Sequence, residues 1–213
     1  MKAIAIIPAF NEEKTIGDII VTLKDVPLVK DIIVVSDGST DGTVEVAEAL
    51  GSKVIELSEN RGKGGAMKAG LDCTAAEIIL FLDADLIGLT KKHVCDLLEP
   101  VISQEAEMTI GVFEKGRVAT DLAQRVAPYL SGQRAVKRSV LENISDIDMA
   151  RFGVEVALTR YLESSNVKVK QVLLDDMSHV MKEEKLGVVR GFAARIKMYW
   201  EIVKYLVSKE SVR

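Results

Sequence analysis

Ile78-Ile79-Leu80-Phe81-Leu82-Asp83-Ala84-Asp85 decides how the rest of the chain is read. A short, evenly apolar run suits a strand covered on both faces, as in a parallel sheet. Aspartates are costly beside a buried strand unless they bind something. Upstream, residues 53–57, 31–35 and 3–7 form three more runs of strand length, and the run 3–7 stops at Pro8. Helical patterns lie between them. Ile16, Ile19, Ile20 and Leu23 share one face, and Asn11 is placed to cap that helix, with Glu12 and Glu13 in its first turn. A second helix follows the turn-forming residues 36–42 through Val44, Ala47 and Leu50. A third opens at Gly62, Gly64 and Gly65. This βαβαβαβ order predicts an α/β fold with a mainly parallel central sheet flanked by helices. Ligands bind beyond the carboxyl ends of such strands, so residues 8–12, 36–41, 58–63 and 83–85 should converge on one crevice.

The 213 residues suffice for one domain with a full core, at 48% hydrophobic and 28% charged. A net charge of -4 argues against general affinity for nucleic acid, so an anionic ligand must be held by a local cluster or a metal. Cys73 and Cys95 form no CxxC pair and read as reduced thiols in a cytosolic protein. The first apolar run is too short for a signal peptide, and no stretch is long enough to span a bilayer.

Three segments carry the chemistry. Asp83 and Asp85 offer hard oxygen ligands suited to Mg²⁺ or Mn²⁺ carrying a diphosphate. Asp37, in Ser36-Asp37-Gly38-Ser39-Thr40-Asp41-Gly42-Thr43, can accept a hydrogen bond from a nucleobase N–H. This segment approaches the spacing of a calcium EF-hand, but a β-branched strand precedes it and Ser39 stands at the third ligand position. In Asn60-Arg61-Gly62-Lys63-Gly64-Gly65, glycines allow close backbone approach and Lys63 can pair with a phosphate. It lacks the Walker A spacing. Nor does a GxGxxG fingerprint follow the first strand, which disfavours a dehydrogenase.

Together with Pro8-Ala9-Phe10-Asn11-Glu12, these segments resemble the nucleotide-sugar glycosyltransferases of family 2 type, with the GT-A fold. The likeness covers about the first half of the chain. It implies donor contacts at Pro8, Ala9, Phe10, Glu12, Asp37, Gly62, Lys63, Asp83 and Ala84. Asp37 would lie on the nucleoside, Lys63 near the phosphates, Asp83 near the ribose and Asp85 on the metal. Ser36 departs from the pattern, since many relatives carry a second acid there.

The second half resembles a narrower group, the glucosyl-3-phosphoglycerate synthases, through Ser131-Gly132-Gln133-Arg134-Ala135, Phe152-Gly153-Val154-Glu155 and an aspartate-rich stretch ending at His179. Dolichyl-phosphate mannose synthases are similar in the first half. The likeness makes His179 the second protein ligand of the metal and turns Gly132, Gln133 and Arg134, read as a loop, toward the acceptor. His93, beside Lys91 and Lys92, reads as a surface residue. Glu155 sits in an apolar helical stretch and wants a partner such as an acceptor hydroxyl. It or Asp148 would be the general base of an inverting reaction, whereas in a retaining one Glu155 would only orient the acceptor. A QxxRW motif is absent, which favours transfer of a single sugar.

The expected organisation is a GT-A domain over 1–186, with a nucleotide-sugar-binding half (1–88) and an acceptor-binding half (89–186), then an amphipathic helix over 187–213. That helix packs, forms a homodimer, or lies on the inner face of the membrane, with Arg190, Arg195, Lys197 and Lys204 near Tyr199 and Trp200. A UDP-sugar is the favoured donor, a GDP-sugar the second. The acceptor is anionic, either a phosphorylated small molecule or a polyprenyl phosphate. Two rivals are a nucleotidyltransferase, which would need a basic Gly-rich loop at residues 8–12, and a non-catalytic nucleotide-sugar-binding protein, which intact Asp83, Asp85 and Lys63 argue against.

Overall fold

The computed structural model describes residues 2–113, 131–143, 161–162 and 165–179. The chain divides into two compact units, Met1–Ser178 and His179–Arg213. The first is built on a seven-stranded sheet whose strands are β1 (Ala3–Ala9), β2 (Val29–Ser36), β3 (Lys53–Glu56), β4 (Ile78–Phe81), β6 (Met108–Phe113), β7 (Arg134–Lys137) and β8 (Val169–Leu174). Two short strands, β5 (Leu86–Ile87) and β9 (Ser178–His179), form a separate pair. The large sheet runs β3-β2-β1-β4-β7-β6-β8, and every pairing is parallel except the two made by β7. The mainly parallel sheet expected from the sequence is present.

Alternation along the strands builds two cores. Ala3, Ala5, Ile7 and Ala9 of β1, with Ile78 and Leu80 of β4, face α1 (Ile16–Lys24), α2 (Thr43–Ala49) and α4 (Lys91–Ile102). Ile4, Ile6, Ile79 and Phe81 face α3 (Gly62–Asp72) and α5 (Arg138–Glu142). Right-handed crossovers explain the division. The chain steps outward from β1 to β3 with α1 and α2 on one face. It then returns to β4 with α3 on the other. The reversal makes β1 and β4 neighbours at a switch point, where ligand crevices form.

Several local expectations need correction. Pro8 does not end β1, which runs on to Ala9 paired with Ser36. Ile6 accepts from the Leu82 N–H, so residue 8 faces the same side, where β4 has ended at Phe81 and no donor is needed. Asn11 does not cap α1. It sits at φ 57°, and Thr15 occupies the cap position. The expected loop at Arg134 is the start of β7. His93 is buried, because its ring closes a capping box with Thr90 at the start of α4.

The helix expected at 152–162 is described only at 161–162, which are helical. The tail helix, the 186/187 boundary, Asp148 and Glu155 lie outside the described residues. Among the described residues, no helix is long and apolar enough to cross a membrane.

Candidate active site

The carboxyl ends of β1, β2, β3 and β4 share one edge of the sheet, and antiparallel β7 begins there, with Arg134 opposite Phe81. Loops 8–12, 36–42, 58–63 and 83–85 therefore meet, joined by 131–133 from the second half of the chain.

Side chains and backbone knit the first two loops together. Asn11 Oδ1 accepts from the Thr40 N–H at 2.8 Å, and the Asn11 N–H donates to Ser39 Oγ at 3.1 Å. The Glu12 N–H donates to Thr43 Oγ1 at 2.8 Å, and Glu13 Oε2 accepts from the Gly42 N–H at 2.9 Å. Asp41 closes the lattice. Burial alone would raise its carboxyl, but hydrogen bonds from the Thr43 hydroxyl and from the Glu13 and Thr43 N–H groups hold it below the ordinary value. The left-handed backbone at Asn11 is stabilised by this bonding, since Asn tolerates that region better than most residues. The acidic residues read as first-turn helix residues belong to this lattice instead.

Asp37 is buried at the base of the crevice. Its N–H donates to the Ala9 carbonyl at 2.8 Å, and its Oδ1 accepts from the Arg61 N–H at 2.7 Å. It thus joins β1 to the loop that leads into α3. Phe10 lies at the lip, 48% exposed. α3 starts at Gly62, whose φ of 78° would strain a residue with a Cβ, and Lys63 follows.

Asp83 is where the two halves meet. Lys63 Nζ lies 2.6 Å from its Oδ1, and Gln133 Nε2 donates to its Oδ2 at 2.9 Å. Ser131 Oγ fixes Gln133 in turn by donating to its Oε1 at 2.9 Å. A Cβ on Gly132 would lie 2.3 Å from both carboxylate oxygens, so only glycine allows this approach. Arg134 is buried, and its guanidinium donates to the Ser131 carbonyl. Gly132 and Gln133 therefore pack against Asp83, and Arg134 holds the turn through Ser131, a non-local arrangement that no local sequence pattern signals.

Asp85 follows at the same strand end, half-buried. Among the described residues no group of three or more His, Cys, Asp or Glu side chains is gathered to hold a metal. Asp83 and Asp85 would offer hard carboxylate oxygens of the kind that suits Mg²⁺ or Mn²⁺, with substrate phosphates and water to complete the shell. β5 begins at the residue after Asp85 and pairs with β9, which opens at Ser178. The residues that precede it are held close, as a Cβ on Gly88 would lie 2.8 Å from the Asp176 carbonyl. Behind this turn, His93 Nδ1 accepts from the Thr90 N–H at 3.3 Å, and the ring also hydrogen-bonds the Asp175 backbone. Burial first, then the Lys92 charge, push His93 below its ordinary value, against the opposing pull of Asp96 and Asp175.

Residues 4–159 match the profile of Glycosyl transferase family 2. This protein belongs to that family. The glycosyltransferase is 41% identical over 219 residues to an uncharacterized protein of Methanocaldococcus jannaschii, a match spanning 91% of this chain and 89% of that one. It is 37% identical to the glucosyl-3-phosphoglycerate synthase of Mycolicibacterium smegmatis over 46% of this chain and 35% of that protein. Against the enzyme of the same name from Petrotoga mobilis, identity is 29% over 70% of this chain and 57% of that protein. The glycosyltransferase thus spans about a third to three fifths of these two named relatives. A crystal structure of glucosyl-3-phosphoglycerate synthase from Mycobacterium tuberculosis, in complex with Mn²⁺, UDP-glucose and phosphoglyceric acid, superposes with a TM-score of 0.72 at 29% identity, covering 84% of this chain and 71% of that one. The same enzyme has been crystallised with Mg²⁺ and UDP.

Proposed function

We propose that this glycosyltransferase moves one sugar from a UDP-sugar, with a GDP-sugar as second candidate, to a small phosphorylated acid. The observation that carries the reading is Asp83, gripped from the donor side by Lys63 and from the acceptor side by Gln133. A carboxylate so held is pre-oriented toward a bound ribose, and the two loops cannot move independently. The likeness to an enzyme crystallised with UDP-glucose and phosphoglyceric acid, over 84% of this chain, favours a phosphorylated small molecule over a polyprenyl phosphate.

The residues then divide the work. Asp37 and the wall formed by Pro8, Ala9, Phe10 and Glu12 hold the nucleoside. Lys63, beside Gly62 at the start of α3, leaves Asp83 in part to meet the diphosphate. Asp85 and His179 would hold Mg²⁺ or Mn²⁺. The metal, when bound, draws charge from the leaving diphosphate. Residues 131–133 and Arg134 at the start of β7 would form the near wall of the acceptor pocket, with Glu155 toward the acceptor hydroxyl.

A panel of UDP-, GDP- and dTDP-sugars, each with and without Mn²⁺ or Mg²⁺, tests this. Saturable, metal-dependent consumption of one UDP-sugar, stimulated by a phosphorylated acid such as phosphoglycerate, is the expected result. A folded sample that binds no donor with metal present overturns it.

A further inference from the structure

Thr15 occupies the N-cap of α1, where a threonine ordinarily accepts a hydrogen bond from the first-turn backbone. It makes no such bond. Its hydroxyl instead donates at 2.6 Å to the carbonyl of Ala84, a residue 69 positions away in sequence. The other acceptors within reach, the Glu12 carbonyl at 3.4 Å and the Glu12 carboxylate at 3.5 Å, are much farther. One hydroxyl carries one proton, so the short contact takes it.

Ala84 is the residue between Asp83 and Asp85, and it is buried. Its carbonyl belongs to the peptide whose plane sets where the chain carries Asp85. Farther along the same helix, Thr22 Oγ1 donates to the Asp18 carbonyl at 2.9 Å, so the Leu89 carbonyl at 3.5 Å gains no comparable tether. The start of α1 thus fastens the loop after β4 at Ala84.

We propose that Thr15 is a positioning residue for the metal and diphosphate end of the donor site, acting through the Ala84 carbonyl on Asp85. The inference rests on the reading given under Proposed function. The hydroxyl bonds that carbonyl at 2.6 Å, and it comes from the cap of a helix anchored in the core by Ile16, Ile19, Ile20 and Leu23. The Asp85 carboxylate is thereby held where the metal needs it before any ligand arrives.

The test measures Mn²⁺ affinity by electron paramagnetic resonance, with UDP saturating, in Thr15→Val, Thr15→Ala and Thr15→Ser. Outer partners of metal ligands typically change affinity about 10- to 100-fold, so Val and Ala should weaken Mn²⁺ by at least about tenfold. Ser keeps the hydroxyl and should stay close to wild type. Excess Mn²⁺ should restore kcat in the Val and Ala proteins, which general loosening of the fold would not allow. Either variant melting cooperatively and binding Mn²⁺ as wild type does would overturn the role of Thr15. Weakening by Ser equal to that by Ala would overturn it too. Wild-type protein that binds no Mn²⁺ with UDP would overturn the donor-site reading itself, and this inference with it.

Discussion

Lys63 and Asp83 form an ion pair of 2.6 Å, with side chains 29% and 19% exposed. A pair this accessible adds little to stability, about 1 kcal/mol or less. Its place at the proposed phosphate end of the crevice gives it a different value. Lys63→Met should therefore leave thermal unfolding almost unchanged while lowering kcat about 100-fold, the scale of losing one electrostatic contact to a developing charge. Steady-state kinetics beside a melting curve would separate the two effects.

Gly132→Ala would drive a methyl group into the Asp83 carboxylate. We expect a loss of about 1–3 kcal/mol of stability from overpacking. We also expect a larger loss of donor affinity than the stability change explains, because Asp83 must turn away from Lys63. UDP titration by calorimetry at a temperature where the variant is folded checks this.

Chelation should abolish transfer, and Mn²⁺ or Mg²⁺ should restore it. Asp85→Asn should raise the metal concentration needed for half-maximal rate while leaving nucleoside binding in place, since Asp37 and the 8–12 loop are untouched. Full activity in excess chelator would contradict the proposed mechanism.

His93 makes stability depend on pH. Its folded-state value is depressed, so the neutral ring contributes fully above the unfolded value of about 6.5. That contribution is lost as pH falls from there through the lower folded value. Protonation also removes the Nδ1 lone pair that accepts from Thr90. Gln at the third helical position supports a capping box without titrating, so His93→Gln should match wild type at alkaline pH and lose less stability on acidification. Parallel losses in both proteins would assign the acid sensitivity to other groups.

The first half of the chain was largely legible because its signals are local. Apolar runs ending in Asp83 or Asp37, with helical periods between them, mark β1 to β4 and the loops at their ends. What escaped the sequence depends on distant partners. Asn11 fits a helix cap until Thr40, 29 residues on, is seen to claim its side chain. Lys91 and Lys92 disguise His93, whose burial depends on its reach toward Thr90 and Asp175. Four residues, Arg134-Ala135-Val136-Lys137, carry too little pattern to announce a central strand, yet β4 on one side and β6 on the other make them one. Thr15 showed no signal, because its partner is a backbone carbonyl.

β7 follows β6 along the chain but lies between β4 and β6 in the sheet. During synthesis, β1 to β4 can assemble from neighbouring segments, whereas the outer edge of β4 must wait for residues 134–137. Gly132 and Gln133 arrive with that insertion, so the event that seals the exposed edge also completes the grip on Asp83. A nascent or misassembled copy lacking β7 would therefore expose the β4 edge and lack the Gln133 contact to Asp83 at once.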